Sequence, residues 1–247
     1  GTMTFGSDWG WGADKKESQR IFDTFASLGG TFVDTANLYT NGTSEKFVGE
    51  FIGSDREHFV VATKYSLTSR PNQGDTETIR PNESGNSRKC MVQAVEASLK
   101  RLGTDYIDIL YLHAWDYMTP VEEVLRGMDD LVRQGKVCYV AFSDTPAYIV
   151  SEAVAMAKLR GWTVPLGIQA PYNLLRRDLE REIIPMAHHH DLAVLPWGLL
   201  ASGVLTGKFR GPQGASHKGT RVNPEKLKLD DRSDAILDAV LDVAHTS

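Results

Sequence analysis

The sequence predicts an α/β chain of the (β/α)8 barrel (TIM barrel) class, on three observations. Six apolar runs read as strands, each ending in a polar or aromatic residue able to do chemistry: Asp34, Lys64, His113, Ser143, Gln169 and Trp197. The intervals between those ends are 30, 49, 30, 26 and 28 residues, about one strand plus one crossover helix, so a β/α unit repeats. The length, 247 residues, suits one barrel of about 250. In a closed barrel the loops that follow the strands converge on one mouth, which gathers such residues on a single rim.

The elements follow in order. Residues 1–6, Gly1-Thr2-Met3-Thr4-Phe5-Gly6, read as the tail of a first strand entering a Gly-rich loop. Residues 18–28 set Ile21, Phe22, Phe25 and Leu28 on one helical stripe, and Gly29-Gly30 offers a left-handed stop. Strands at 59–63, 107–112, 137–142 and 192–195 are rich in Val, Ile, Leu and aromatics and only loosely alternating, as strands buried on both faces are. Helices lie between them. Residues 88–102 carry a Met91, Val95, Leu99, Leu102 stripe before Gly103, residues 121–133 precede Gly135, residues 147–160 precede Gly161, and a further helix is expected at 179–189. Asp105 and Asp108 read as a turn residue and a buried hydrogen-bonding residue.

Two segments break the alternation. Residues 66–87 form a polar rim loop just after Lys64, of the kind that shapes a pocket. Residues 210–224, rich in Gly, Pro, Ser, Lys and Arg, suit either a lid over an anionic ligand or a mobile surface loop. A last helix at 235–244 leads to no eighth strand. The expectation is seven strands with the first abbreviated, in one barrel domain over 1–247, truncated at both ends and lacking its eighth strand and that strand's helix.

Composition narrows the function. With a net charge of −5 and a pI near 5.8, the chain lacks the basic footprint of a nucleic-acid or anionic-membrane partner. Cys90 and Cys138 have no CxxC spacing or His cluster, so two free thiols in a reducing compartment are expected. No apolar run approaches the ~20 residues of a membrane span and no signal-peptide pattern begins the chain. The cytoplasm is the expected location. His188-His189-His190 cannot all face one ion, because consecutive helical residues point about 100° apart. A solvated helix end is expected there, and no metal.

The residues also resemble a family. Residues 31–39, Thr-Phe-Val-Asp-Thr-Ala-Asn-Leu-Tyr, followed by Ser44-Glu45 and Val48-Gly49, resemble the first signature of the aldo-keto reductases, and residues 102–113 resemble the middle signature. Residues 85–89 and 113–116 are closest to its aryl-alcohol-dehydrogenase-like branch. The resemblance implies NADPH-dependent reduction of aldehydes and ketones, with NAD possible and a small carbonyl or alcohol as partner.

The chemistry explains why four residue types would sit together. Hydride delivery to a carbonyl leaves a developing alkoxide that needs an acid beside it. Tyr39 is the expected acid, with Lys64 lowering its pKa, Asp34 pairing Lys64, and His113 orienting the carbonyl. The resemblance implies the same roles. Singly, each has a plainer reading: a packed loop aromatic, a solvated Lys, a satisfied core His.

For the cofactor, Ser143, Asp144 and Gln169 offer partners for a carboxamide, and Trp197 a face for the nicotinamide ring. At 144 many family members carry Asn, and an ionised Asp cannot donate. Gly198, Leu199, Leu200, Ser202, Gly203 and Lys208 resemble the family's pyrophosphate-holding stretch, and Thr2 and Met3 complete the expected cofactor set. No GxGxxG occurs, so a Rossmann mode is not indicated. Trp9, Trp11 and Trp115 suit an aromatic substrate wall or plain packing. Two rival functions share the fold: a nicotinamide-binding sensor subunit and a Schiff-base aldolase using Lys64.

Overall fold

The computed structural model describes residues 1–68, 82–209 and 230–246. Six strands, β1 (Phe32–Asp34), β2 (Val60–Tyr65), β3 (Ile107–Leu112), β4 (Val137–Ser143), β5 (Gly167–Pro171) and β6 (Ala193–Trp197), form one parallel sheet in sequence order. Helices α1 (Lys15–Ser27), α2 (Thr43–Ile52), α3 (Arg88–Leu102), α4 (Val121–Arg133), α5 (Ala147–Arg160), α6 (Ile183–His190) and α7 (Asp231–Thr246) complete the order. The sheet curls into part of a (β/α)8 barrel.

Alternation along the strands divides the apolar residues into two cores. Val33, Val61, Leu110, Leu112, Val140, Phe142 and Ile168 point outward and pack with Phe22, Val48, Met91, Met128 and Val150 of the helices. Ala62, Ile109, Tyr111 and Ala141 form a separate inner cluster. Burial on both faces is why the strands read as continuous apolar runs. The period of two puts Lys64 in line with Ala62, and the register pairs Lys64 with Tyr111, then Tyr111 with Ala141. Ser143 pairs with Gln169, and Gln169 with Leu195. The chemistry-bearing residues thus occupy the inner rows.

Local signals explain the helix ends. Helix α3 starts where the Ser87 side chain accepts from the Cys90 N–H and stops at left-handed Gly103. Helix α1 begins three residues before its expected start because Asp14 caps it, accepting from the Glu17 N–H at 2.8 Å. Helices α2 and α3 meet at Gly49, where a Cβ would lie 2.3 Å from the Leu102 carbonyl oxygen. Asp108 ties β2 to β3, accepting from Arg56 Nη2 at 2.6 Å and from the Val61 N–H at 2.9 Å.

Several expectations are corrected. Residues 1–6 form no paired strand: the Phe5 N–H turns back to the Thr2 carbonyl, Gly6 and Thr4 bond to Ala13, and Phe5 makes only an isolated bridge. The expected helix at 179–189 divides into a 3-10 turn, Asp178–Glu180, and α6. Pro185 has no N–H to give an uninterrupted helix, yet fits the first turn of α6, where N–H groups have no helical partner. Ser143 and Trp197 end their strands as expected, whereas β2 extends past Lys64 to Tyr65 and β5 past Gln169 to Pro171. The rim loop is described only at 66–68 and 82–87, and 210–224 lies outside the described residues. Cys90 is a buried free thiol and Cys138 an exposed one. Among the described residues no helix is long and apolar enough to cross a membrane, and no cluster of His, Cys, Asp and Glu could hold a metal ion.

Candidate active site

Lys64 is the centre of the site. It is 1% exposed, and its ammonium donates to Asp34 Oδ1 at 2.8 Å, Asp34 Oδ2 at 2.9 Å and the Thr35 carbonyl at 2.8 Å, with Tyr39 Oη at 3.2 Å. These groups meet because Asp34 ends β1, Lys64 lies near the end of the adjacent β2, and the chain turns after β1 to bring Tyr39 back over both. The buried cation is therefore paired and fully hydrogen-bonded, the condition under which burial is tolerable. His113 follows β3, and its ring meets Tyr39 edge-on with centroids 5.9 Å apart. Gln169, from β5, donates from Nε2 to Asp34 Oδ1 at 2.9 Å.

The electrostatics correct one expectation. Lys64 was expected to bring the Tyr39 phenol below its ordinary value. Burial instead pushes it up, more strongly than the ammonium draws it down. Burial, helped by the Lys64 charge, lowers His113 to about 3, so the imidazole is neutral near pH 7. Its Nδ1 is buried with no hydrogen-bond partner among the described residues. A lone acceptor there is more tolerable than a lone N–H, which favours the tautomer protonated at Nε2.

His113 links the site to acid stability. Its folded pKa lies below the unfolded value of 6.5, so the unfolded chain binds the proton first. The contribution is complete above pH 6.5 and is lost as pH falls toward 3. Within that window this residue lowers stability by about 1.4 kcal/mol per pH unit. His113→Gln should flatten the dependence, as measured by urea midpoints at pH 7 and pH 5. Equal losses in the two proteins would refute the assignment.

The expected cofactor residues separate into groups. Ser143 is 1% exposed at the end of β4. Asp144 accepts from Trp197 Nε1 at 3.2 Å. Desolvation raises the Asp144 carboxyl above its ordinary value, against the lowering effect of the Trp197 hydrogen bond. Trp197 is 41% exposed and Leu199 and Leu200 are exposed. Gly198, Ser202 and Gly203 have positive φ around the 3-10 turn Ala201–Thr206. Lys208 folds onto this turn, its Nζ 2.8 Å from where a Gly203 Cβ would stand. Thr2 has a different place: buried, it donates from its backbone N–H and its hydroxyl to the Asp34 carbonyl, at 2.8 and 3.0 Å. Met3 is half-buried in the same segment.

One contact and one buried residue were missed in the sequence. Gln169 reaches Asp34 across the site, and Tyr111 is fully buried in the inner cluster with its hydroxyl unpaired among the described residues. Its spacing two before His113 was the available signal, since it shares the inner row. Trp9 donates from Nε1 to Asn41 Oδ1 at 3.2 Å and packs on Trp11 at 5.4 Å, whereas Trp115 belongs to the outer core. His188 and His189 are exposed, and His190 Nε2 lies 2.7 Å from Ser151 Oγ.

Backbone strain gathers on the same rim. Of the eight non-glycine residues with positive φ among the described residues, Thr40, Asn41, Ser66, Tyr117, Asp144, Ala201 and Ser202 lie in loops that follow strands, and Asp191 caps a helix. Asn and Asp tolerate this region, but for the others, Thr40 above all, it costs on the order of 1–3 kcal/mol and persists only when the surroundings enforce it.

The sequence model of the Aldo/keto reductase family matches residues 1–243. An NADP(+) aryl-alcohol dehydrogenase of Phanerodontia chrysosporium is 43% identical over 212 residues, 83% of this chain and 55% of that protein. A norsolorinic acid reductase of Aspergillus flavus is 39% identical over 233 residues, 92% of this chain and 58% of that protein. An aryl-alcohol dehydrogenase of Pestalotiopsis microspora is 38% identical over 246 residues, 97% of this chain and 62% of that protein. The chain thus spans between half and two thirds of the length of these relatives.

Proposed function

Since this chain belongs to the aldo/keto reductase family, we propose that it reduces an aldehyde or ketone to the alcohol, with Tyr39 as general acid. The observation that carries this reading is the Tyr39–Lys64–Asp34 chain, at 3.2 and 2.8 Å, in a buried inner row. When bound, reduced nicotinamide supplies the hydride to the carbonyl carbon. The residues fit that group: Ser143, Asp144 and Gln169 offer donors and acceptors for a carboxamide, the half-exposed Trp197 offers a ring face, and Lys208 with the Gly203 turn suits a pyrophosphate.

The chain's own residues then handle the proton. As charge develops on the carbonyl oxygen, Tyr39 gives its phenolic proton to it. Lys64 holds the resulting phenolate, and Asp34 keeps Lys64 in place. His113, neutral, donates a hydrogen bond to the same oxygen without competing for the proton. The raised pKa of Tyr39 keeps it protonated at neutral pH but makes it the weaker acid, so the transfer depends on Lys64 stabilising the phenolate as it forms.

NADPH is the proposed cofactor, supported by the name of the Phanerodontia relative. An aryl carbonyl is the proposed substrate class, supported by the aryl-alcohol relatives and by the Trp9–Trp11 pair. Free Cys90 and Cys138 suit a reducing cytoplasm. A panel of aryl and aliphatic aldehydes, followed by loss of NADPH absorbance, tests the function. Aryl aldehydes should turn over faster. Cofactor binding without turnover of any carbonyl would refute the reading.

A further inference from the structure

The residues just after Tyr39 adopt a conformation that side chains avoid. Thr40 has φ 45° and ψ 47°, Asn41 has φ 56° and ψ 31°, and Gly42 follows at φ 90°. Asn and Gly are at home in this left-handed region. A β-branched Thr is not.

Four contacts hold Thr40 and Asn41 there, three from residues 5–9 that run past them and one from Ser44 at the start of α2. Thr40 is fully buried, donates from Oγ1 to the Phe5 carbonyl at 2.6 Å, and accepts from the Ser44 N–H at 3.1 Å. It packs flat onto Gly6: a Cβ on Gly6 would lie 2.8 Å from Thr40 Oγ1 and 2.9 Å from its Cβ. Asn41 accepts from Trp9, which packs on Trp11. Gly at 40 would keep the backbone path and relieve its strain but leave the Phe5 carbonyl and the Ser44 N–H, in the first turn of α2, without this partner.

We propose that Thr40 is a positioning residue, fixing Tyr39 Oη against Lys64. Through Asn41, the same grip joins the Trp9–Trp11 wall to the proton donor, so that the substrate's aromatic group and its carbonyl oxygen are referenced to one element. This inference rests on Tyr39 being the acid. It adds a strained clamp outside the four residues that handle the carbonyl.

Thr40→Gly, Thr40→Val and Thr40→Ser separate strain, shape and hydroxyl. Three readouts are needed: kcat and KM with an aryl aldehyde, cofactor affinity by fluorescence quenching, and the alkaline titration of Tyr39, taken as the absorbance difference between each protein and its Tyr39→Phe counterpart. Thr40→Gly and Thr40→Val should lose kcat by about tenfold or more, with cofactor affinity unchanged and the Tyr39 titration displaced. Thr40→Ser keeps the hydroxyl and should stay within threefold of the parent. Should Thr40→Val not fold, Thr40→Gly decides, because glycine accepts the turn without strain. The proposal is overturned if Thr40→Gly keeps kcat within twofold with the titration unmoved, or if Thr40→Ser falls as far as Thr40→Gly. If Tyr39→Phe itself retains full turnover, the assignment of the acid fails instead, and the displaced titration still reports the clamp.

Discussion

Tyr39→Phe should lower carbonyl-reduction turnover by about 100-fold or more, within the 10²–10⁴ range of a general acid, and leave cofactor affinity nearly unchanged. The ring contact with His113 and the proximity to Lys64 survive the change, because Phe keeps the shape. Only the phenolic proton and the hydrogen bond that Lys64 donates to the Tyr39 oxygen are lost. Steady-state rates with an aryl aldehyde, beside fluorescence titration of the cofactor, measure both halves. Turnover within threefold of the parent would show that the proton comes from elsewhere.

Lys64→Met should act on stability as well as on rate. The Lys64 side chain is 0% exposed and that of Asp34 16%, so removing the cation strands a carboxylate whose one remaining side-chain partner among the described residues is Gln169. Breaking a buried pair from one side costs about 3–5 kcal/mol, because the remaining charge cannot return to water. Adding Asp34→Asn should recover part of that loss, since it removes the stranded charge. Urea unfolding of the single and double variants checks the sign of the coupling. A single variant within about 1 kcal/mol of the parent would mean that Asp34 is better solvated than its burial suggests.

Residues with strong local signals were legible in the sequence. Helix α3 could be bounded because Ser87 and Gly103 mark its ends, and α5 because Gly161 takes the left-handed cap. Asp34, Lys64, Ser143, Gln169 and Trp197 share inner rows, as strand-end spacing and a period of two together required. The misses were those that need the third dimension. The direction of the Tyr39 shift depends on how much of the barrel covers the phenol, which no motif states. The segment 1–6 looked like a strand from its order in the chain, but after Thr2 bonds to Asp34 of β1 the Phe5 N–H turns back to Thr2 and the Gly6 N–H to Ala13. The division of 179–189 was within reach, since Pro185 was visible throughout. A Thr in left-handed backbone could not be read at all, because every propensity argues against it.

The hydrogen bond from Gln169 to Asp34 joins residues 135 apart in the chain. Tyr39, Lys64 and Asp34 are mutually within 30 residues, so their contacts close a short loop. Gln169 meets Asp34 only when β3, β4 and β5 are in place. Loop-closure entropy and contact order place that bond late on the folding route. Until it forms, one Asp34 oxygen depends on Lys64 and water alone. Recovery of a fully ordered site after dilution from denaturant is therefore set by the slow closure of the sheet, and not by the earlier appearance of the helices that surround it.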